Sequence, residues 1–374
     1  MMADKTSFVD TTVHLDVKDY YGKTLQKTSD LQSNACVAPV GPLPKCILQA
    51  LKKVHPDVTD RYYGCGLAVP ECLEGCRILD LGCGSGRDCY ILSQLVGEAG
   101  HVTGVDMTED QLEVARKHVD FHMKEFGYKK PNVTFVQGYI EALTEAGLEK
   151  NSFDIIISNC VVNLSPDKKK VLTEAYNVLK DGGEFFFSDM YSNGRQTEEI
   201  KNNKVLWGEG FGGALWYKDL LQLAEEVGFR PPRLVKANVI TVDNKEMQAI
   251  LGDFKFVSAT YRLFKVPKGS PKPCKVIYNG NIAGSEDSLH FDCQYTFKAD
   301  QVVEVDGELA ANLTHSRYAQ AFTFQPPGDS FESCGVKPKA ISGDPFELAA
   351  QLQKQSAALA TGGCCSTQSA TCCK

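Results

Sequence analysis

The sequence predicts an α/β protein whose main domain is a doubly wound, Rossmann-like parallel sheet. Between Arg77 and Ser188, short apolar runs alternate with helical patterns, which is typical of a parallel sheet covered by helices. After Pro231-Pro232 the apolar residues alternate with polar ones, which indicates strands with one buried face. The length of 374 residues also exceeds what one hydrophobic core usually organises. We therefore predict an N-terminal helical cap (1–69), the main domain (70–235), a smaller C-terminal α+β domain (236–347) and a disordered tail (348–374).

The cap contains two helical patterns, near Val17 to Leu31 and near Leu43 to His55. The proline-rich stretch 38–44 lies between them. Proline lacks a backbone donor and disfavours helix in the residue before it, so this stretch is predicted to be a loop.

In the main domain, strands are predicted at the apolar runs 77–81, 101–106, 132–137, 153–158 and 184–188. Helices are predicted over 88–96, over 108–126 and from about 165 to 183. Thr108 and Gln111 have the spacing of a capping box at the start of the second helix. Its apolar stripe consists of Leu112, Ala115, Val119, Met123 and Phe126.

The C-terminal domain is predicted from three features. Asn279-Gly280 indicates a turn, Leu289 to Phe297 alternates as one strand, and Gly307 to Ala321 has a helical pattern. The last twenty residues are rich in Ala, Ser, Thr and Gly, which is typical of disorder, and they carry four cysteines. These vicinal tail thiols could exchange disulfides, but we expect them to be solvated and dispensable.

Composition excludes several function classes. The net charge of −7 and pI of 5.6 disfavour a basic surface that would bind the phosphates of a nucleic acid. No apolar run reaches membrane-spanning length, and residues 1–19 lack the features of a targeting peptide. We therefore expect a cytoplasmic protein with no membrane or nucleic-acid partner, and a monomer. The 15 cysteines would start as thiols in that compartment, most of them as small buried residues.

A glycine loop after the first strand predicts a cofactor site. Asp80 precedes Gly82, Gly84 and Gly86, whose missing side chains bring backbone amides close to a ligand. Asp106 ends the next strand, where a carboxylate can accept hydrogen bonds from both ribose hydroxyls. The spacing is G-x-G-x-G rather than the G-x-G-x-x-G of dinucleotide sites, which disfavours a nicotinamide dehydrogenase.

The loop resembles motif I of the class I S-adenosylmethionine methyltransferases. That resemblance implies S-adenosylmethionine as cofactor, with Ile140 and Glu141 beside its adenine and Asn159 and Cys160 near its methyl group. Met107 and Gln111, which follow Asp106, are assigned to the same site. Tyr63 would contact the sulfonium through a cation–π interaction or belong to the core.

Several segments closely resemble the animal arsenite methyltransferases. They are 61–66 (Arg-Tyr-Tyr-Gly-Cys-Gly), 158–164 (Ser-Asn-Cys-Val-Val-Asn-Leu), 33–36, 105–108 and 207–215. The resemblance implies methylation of trivalent arsenic, a thiophilic substrate, with Cys65 and Cys160 as its ligands. It further implies that Cys36 reduces arsenic between cycles and can pair with Cys65. Thioredoxin or glutathione would then reopen the disulfide.

One departure concerns the third thiol. The family usually reads Trp-Gly-Glu-Cys where this chain has Gly210, and Phe254 replaces a cysteine common in vertebrate members. Arsenic would then be held by Cys65 and Cys160 together with an exogenous thiol or with Cys36. We predict weaker binding of methylated arsenic than in members with three thiols.

Two other functions remain open at this stage. A methyltransferase for an organic nucleophile would usually place a general base beside the methyl group. A metalloid-binding thiol protein would bind arsenite without turnover. His118 and His122 lack an H-E-x-x-H pattern and are expected to be surface residues rather than metal ligands.

Overall fold

The structure is a computed structural model that describes residues 11–24, 44–63, 67–325 and 343–361. In the cap, helix α1 spans Thr12–Asp19 and continues as a π-helical turn over Tyr20–Thr24, while α2 and α3 span Lys45–Lys52 and Pro56–Thr59. Helix α1 begins earlier than predicted because Thr11 and His14 form a capping box: each side chain accepts from the backbone N–H of the other. The predicted helix beyond Thr24, the loop residues 38–43, Cys36 and Cys65 lie outside the described residues.

The main sheet confirms the doubly wound prediction. Strands β1 to β5 run parallel in the order β3-β2-β1-β4-β5, and β8 and β7 complete the sheet in antiparallel pairs. The strands are β1 Arg77–Leu81, β2 His101–Asp106, β3 Val133–Gln137, β4 Phe153–Asn159, β5 Leu179–Ser192, β6 Leu215–Trp216, β7 Arg233–Ile240 and β8 Phe256–Phe264. The helices are α4 Arg87–Val96, α5 Glu109–Lys117, α6 Val119–Phe126, α7 Lys168–Val178, α8 Glu198–Lys201, α9 Lys204–Gly208, α10 Tyr217–Val227 and α11 Lys245–Leu251, with a 3₁₀ turn at Val162–Leu164.

The helix predicted over 108–126 is two helices, α5 and α6, divided at His118. The capping-box prediction is also wrong, because Thr108 makes no side-chain bond to the helix. The Thr108 hydroxyl bonds to Asp106 instead, and Gln111 Nε2 donates to the Tyr21 carbonyl at 3.0 Å. The Thr108 side chain thus bonds to the end of β2 and the Gln111 side chain to the cap, and neither caps the helix.

The predicted boundary at 235/236 falls inside β7. Residues 236–264 belong to the main sheet, where β7 and β8 pair over almost their full lengths. The main sheet therefore extends to Phe264, and the polar–apolar alternation of Leu289 to Phe297 lies beyond it, in the C-terminal domain.

The C-terminal domain contains a three-stranded sheet, β12-β9-β13, and a short hairpin, β10-β11. The single strand predicted from Leu289 to Phe297 is this hairpin, because the chain turns at 291–295. Its elements are β9 Cys274–Tyr278, β10 Ser288–His290, β11 Thr296–Lys298, β12 Val302–Val305, α12 Gly307–Thr314, a 3₁₀ turn Arg317–Ala321 and β13 Phe322–Gln325. Helix α13, Pro345–Thr361, corrects the predicted disorder over 348–361: Leu348 and Ala349 are buried in the core of the main sheet.

Buried charges lie where the main sheet meets the C-terminal domain. Arg262 of β8 is completely buried and pairs with Glu184 of β5 at 2.7 Å and with Glu71. Arg317 pairs with the second Glu184 oxygen at 2.5 Å, so one buried carboxylate ties both layers together. Among the described helices, none is long and apolar enough to cross a membrane.

Candidate active site

The loop between β1 and α4 requires glycine at two positions. Gly82 and Gly84 have φ values of 69° and 52°, in the left-handed region. A Cβ on Gly82 would lie 2.5 Å from Cγ1 of Val161, the residue that follows Cys160. The bare backbone therefore lets the end of β4 approach the loop.

Gly86 has a different role from the one predicted. It caps α4 at φ 86°, is buried and does not line the cavity above the loop. A Cβ there would lie 2.8 Å from the Phe135 ring and 3.2 Å from Ala115 Cβ. Gly86 thus allows α4, α5 and β3 to pack closely.

Asp106 joins the loop to the end of β2. Its two carboxylate oxygens accept from the Gly84 N–H at 2.9 Å and from the Thr108 N–H at 2.8 Å. The Thr108 hydroxyl and the Met107 N–H also bond to this carboxylate, so ribose hydroxyl groups would share its lone pairs with these donors.

A cavity opens above the carboxyl ends of β1, β2 and β4, where ligands bind in doubly wound sheets, and its volume is about 980 Å³ when the space open to solvent is included. Eleven of the predicted site residues line it: Tyr63, Asp80, Gly82, Gly84, Asp106, Met107, Gln111, Ile140, Glu141, Asn159 and Cys160. The cap adds residues that the sequence did not indicate: His14, Tyr21, Arg61 and Tyr62.

The wall beside the loop is acidic. Asp80, Asp88 and Asp106 all line the cavity. Burial and the neighbouring charges of Asp88 and Asp106 raise the pKa of Asp80 well above its ordinary value, and burial also raises the pKa of Asp106. A positively charged ligand would relieve this repulsion. The sulfonium and ammonium groups of S-adenosylmethionine fit that requirement.

Glu141 links this wall to the cap. It is buried, contacts His14 Nε2 at 3.0 Å and accepts from the Ser165 hydroxyl. Burial alone would raise the pKa of Glu141, but these two hydrogen bonds lower it below its ordinary value. The carboxylate is therefore held ionised at the end of the cavity predicted to receive adenine.

Cys160 follows β4 directly and lines the same cavity. Its φ of 59° is unusual for a residue with a side chain, and its N–H donates to the Ser188 carbonyl at 2.8 Å. The neighbouring Asn159 donates to the Tyr62 hydroxyl at 2.5 Å. Cys160 is disulfide-bonded, whereas the other seven cysteines of the described ranges are free thiols.

His118 and His122 are not surface residues as predicted. They are 6% and 0% exposed. His122 stacks on Tyr90 and accepts from the His55 N–H at 3.1 Å, while His118 contacts Asp57 Oδ2 at 3.2 Å. The two rings have separate partners and do not converge on one metal.

Comparison with known proteins shows the family. Residues 73–228 match the methyltransferase domain and residues 271–373 the arsenite methyltransferase C-terminal domain. The chain is 55% identical to the arsenite methyltransferase of Rattus norvegicus, over 95% of this chain and 97% of that protein. It is 44% identical to that of Aquipseudomonas alcaligenes over 94% and 100%. The crystal structure of an arsenic(III) S-adenosylmethionine methyltransferase from Chlamydomonas reinhardtii matches with a TM-score of 0.73 and 43% identity, over 76% of this chain and 96% of that one.

The chain belongs to the arsenite methyltransferase family. This confirms the predicted resemblance, the predicted α/β fold and the assignment to the S-adenosylmethionine-dependent methyltransferases.

Within this member of the arsenite methyltransferase family, Gly210 follows α9 and does not line the cavity of the described residues. Its φ is 85°, and a Cβ there would have only Met190 Cε within 4 Å, at 3.6 Å. The preceding Glu209 is buried and accepts from the Tyr20 hydroxyl at 2.5 Å. The segment that usually carries the third thiol is therefore tied to the cap through Glu209.

Proposed function

We propose that the chain transfers a methyl group from S-adenosylmethionine to trivalent arsenic held by the thiolates of Cys65 and Cys160. The position of Cys160 carries this proposal. It lines the same cavity as Asp80 and Asp106, at the neighbouring strand end, and its backbone lies in the left-handed region at φ 59°.

The described residues suit the cofactor. Asp106 would receive the ribose hydroxyls, the acidic wall would receive the cationic groups, and Ile140 and Glu141 would lie beside the adenine. The bare loop at Gly82 and Gly84 leaves room for a close approach of the ligand to the backbone. When bound, the cofactor supplies an electrophilic methyl group.

The chain's own contribution is to hold and orient the substrate. Thiolates are the matching ligands for a soft centre, and a trivalent arsenic keeps a lone pair that is itself the nucleophile. No general base is then needed, in contrast to methylation of a hydroxyl or amine. Correct orientation in a cavity that excludes water can lower the barrier by several kcal/mol.

Thiol–disulfide exchange between cycles is the second part of the proposal. We infer that Cys36 and Cys65 supply two electrons to methylated arsenic, forming a disulfide that glutathione or thioredoxin reduces. The disulfide at Cys160 supports the idea that thiols can meet at this cavity. A reducing compartment such as the cytoplasm, and a monomeric enzyme, are part of the same proposal.

The test uses the full-length protein with S-adenosylmethionine, arsenite and glutathione, and follows S-adenosylhomocysteine together with methylated arsenic. We expect arsenite-dependent turnover that Cys160→Ser abolishes. Cys274→Ser is the matched control, because Cys274 is a free thiol in the C-terminal domain, on β9.

Three results would contradict the proposal. Turnover that arsenite does not stimulate would favour an organic substrate. Binding of arsenite without S-adenosylhomocysteine would favour a metalloid-binding protein. Equal rates for Cys160→Ser and Cys274→Ser would remove Cys160 from the reaction.

A further inference from the structure

A second pair of thiols lies inside the glycine loop, apart from Cys160. Cys83 is half-buried and lines the cavity, and Cys89 is completely buried one turn into α4. Both sulfurs pack over Gly104 of β2: a Cβ on that residue would lie 2.7 Å from Cys83 Sγ and 2.8 Å from Cys89 Sγ. The fold thus brings the two sulfurs together over a bare backbone position.

A carboxylate adjoins this pair. The Cys89 thiol donates to Asp80 Oδ2 at 3.2 Å, and Asp80 is itself part of the cavity wall. The Cys83 N–H and the Gly82 N–H both donate to the Val105 carbonyl, at 3.0 and 2.8 Å, which fixes the loop relative to β2. Any ligand bound by the two sulfurs would therefore act directly on the loop and on Asp80.

We propose that Cys83 and Cys89 form a second binding site for monosubstituted trivalent arsenicals, and that its occupation weakens cofactor binding. The ligand class follows from the donor set, because two adjacent thiols match a soft centre with two exchangeable oxygen ligands. An ammonium or hard metal ion would need oxygen ligands instead.

The binding step is a condensation without electron transfer. A species R–As(OH)₂ reacts with two thiols to give R–As(S–Cys)₂ and two water molecules. Two S–H and two As–O bonds break, while two As–S and two O–H bonds form. Burial raises the pKa of Cys83 to about 11 and that of Cys89 well above its ordinary value, so both sulfurs carry the proton that leaves with each hydroxide.

Occupation of this site would affect the cofactor in two ways. An arsenic atom held by Cys83 and Cys89 would need space over Gly104 and would displace the loop that lines the cavity. Its bond to Cys89 would also remove the hydrogen bond to Asp80. Both effects lower cofactor affinity without touching Cys160.

The test measures binding rather than turnover. It uses the Cys160→Ser variant, which lacks a thiol that the proposed methyl transfer requires. The probe is methylarsonous acid, and the dissociation constant of S-adenosylmethionine is measured by calorimetry with and without it. We expect the arsenical to weaken cofactor binding at least tenfold in the background protein and less than twofold after a further Cys83→Ser substitution. A further Cys293→Ser substitution is the matched control, since Cys293 is a buried free thiol outside the loop, and it should keep the full effect.

A second measurement covers the case in which Cys83→Ser itself impairs cofactor binding. The arsenic bound per chain is determined after gel filtration for the background protein and for the further Cys89→Ser variant. We expect the Cys89→Ser variant to retain one arsenic fewer. Equal stoichiometry, or an equal effect of the arsenical on cofactor affinity in the Cys83→Ser and Cys293→Ser proteins, would overturn the proposal. Neither result bears on turnover at Cys160, so the two proposals fail separately.

Discussion

Asp106→Asn should separate cofactor affinity from folding stability. The two oxygens of Asp106 already accept one backbone N–H each, from Gly84 at 2.9 Å and from Thr108 at 2.8 Å. Asparagine offers one oxygen and one NH₂ group, so in either orientation the NH₂ faces a backbone donor. In the proposed cofactor complex, one ribose hydroxyl would also lose its charged acceptor.

The magnitude follows from these contacts. A hydrogen bond to a charged group contributes about 1.5 to 3 kcal/mol, which corresponds to a roughly 10- to 150-fold increase in the dissociation constant of the cofactor. Folding stability should change less. Burial of the charged carboxylate is unfavourable, which is why burial raises the pKa of Asp106. A neutral amide avoids this cost, and the gain offsets part of the lost backbone hydrogen bond.

Calorimetric titration with S-adenosylhomocysteine and thermal unfolding test both statements. Asp110→Asn is the matched control, because Asp110 is an exposed carboxylate at the start of α5 that does not line the cavity. A change in affinity of less than threefold for Asp106→Asn, or the same change for Asp110→Asn, would refute this account of the site.

Three further predictions test other parts of the structure. Gly82→Ala places a methyl group 2.5 Å from Val161 Cγ1 and should lower the free energy of unfolding by about 2 to 4 kcal/mol in urea titrations. Gly75 has a similar φ but open space around it, so Gly75→Ala should lower the free energy of unfolding by only about 1 kcal/mol. Equal losses for the two variants would show that the close approach of Val161 to Gly82 does not matter. Burial lowers the pKa of His122 from its ordinary 6.5 to about 4. Between these pH values only the unfolded chain binds a proton at this residue. The free energy of unfolding should therefore fall by about 3 kcal/mol as the pH falls from 6.5 through 4. His122→Phe should flatten that dependence, and an unchanged slope in urea unfolding across this pH range would contradict it. Gly210→Cys should bind methylarsenite more tightly than the parent in a direct binding assay, despite the positive φ. Equal affinities would show that a thiol at position 210 does not contribute to arsenic binding.

The sequence predicts the centre of the main domain well, because local patterns encode it. Strands β1 and β2 have the predicted bounds, since buried parallel strands appear as short apolar runs next to glycine. Asp106 is correctly placed for the same reason: it ends such a run. The lining of the cavity by Asp80 and Cys160 follows from strand ends that must meet at one edge of the sheet.

Contacts between distant segments could not be predicted in this way. His14 and Glu141 are 127 residues apart, and nothing in either local pattern indicates their hydrogen bond. The division of α5 from α6 depends on His118, whose ring turns toward the cap and contacts Asp57. Cys36 and Cys65 remain predictions from the family resemblance.

Asp80 connects the two proposed ligands of the loop, and thermodynamic linkage makes their relation testable in both directions. A cation in the cavity would stabilise the charged form of Asp80, and the hydrogen bond that the Cys89 thiol donates at 3.2 Å favours the same form. Conversely, arsenic on Cys89 removes that contact and displaces the loop.

If methylarsonous acid weakens S-adenosylmethionine binding by some factor, the cofactor must weaken methylarsonous acid binding by the same factor. We expect calorimetric titrations in both orders to give equal factors of ten or more in Cys160→Ser, and factors near one after a further Cys89→Ser substitution. A factor that survives the loss of Cys89 would place the antagonism at another thiol, and the carboxylate would then serve the cofactor alone.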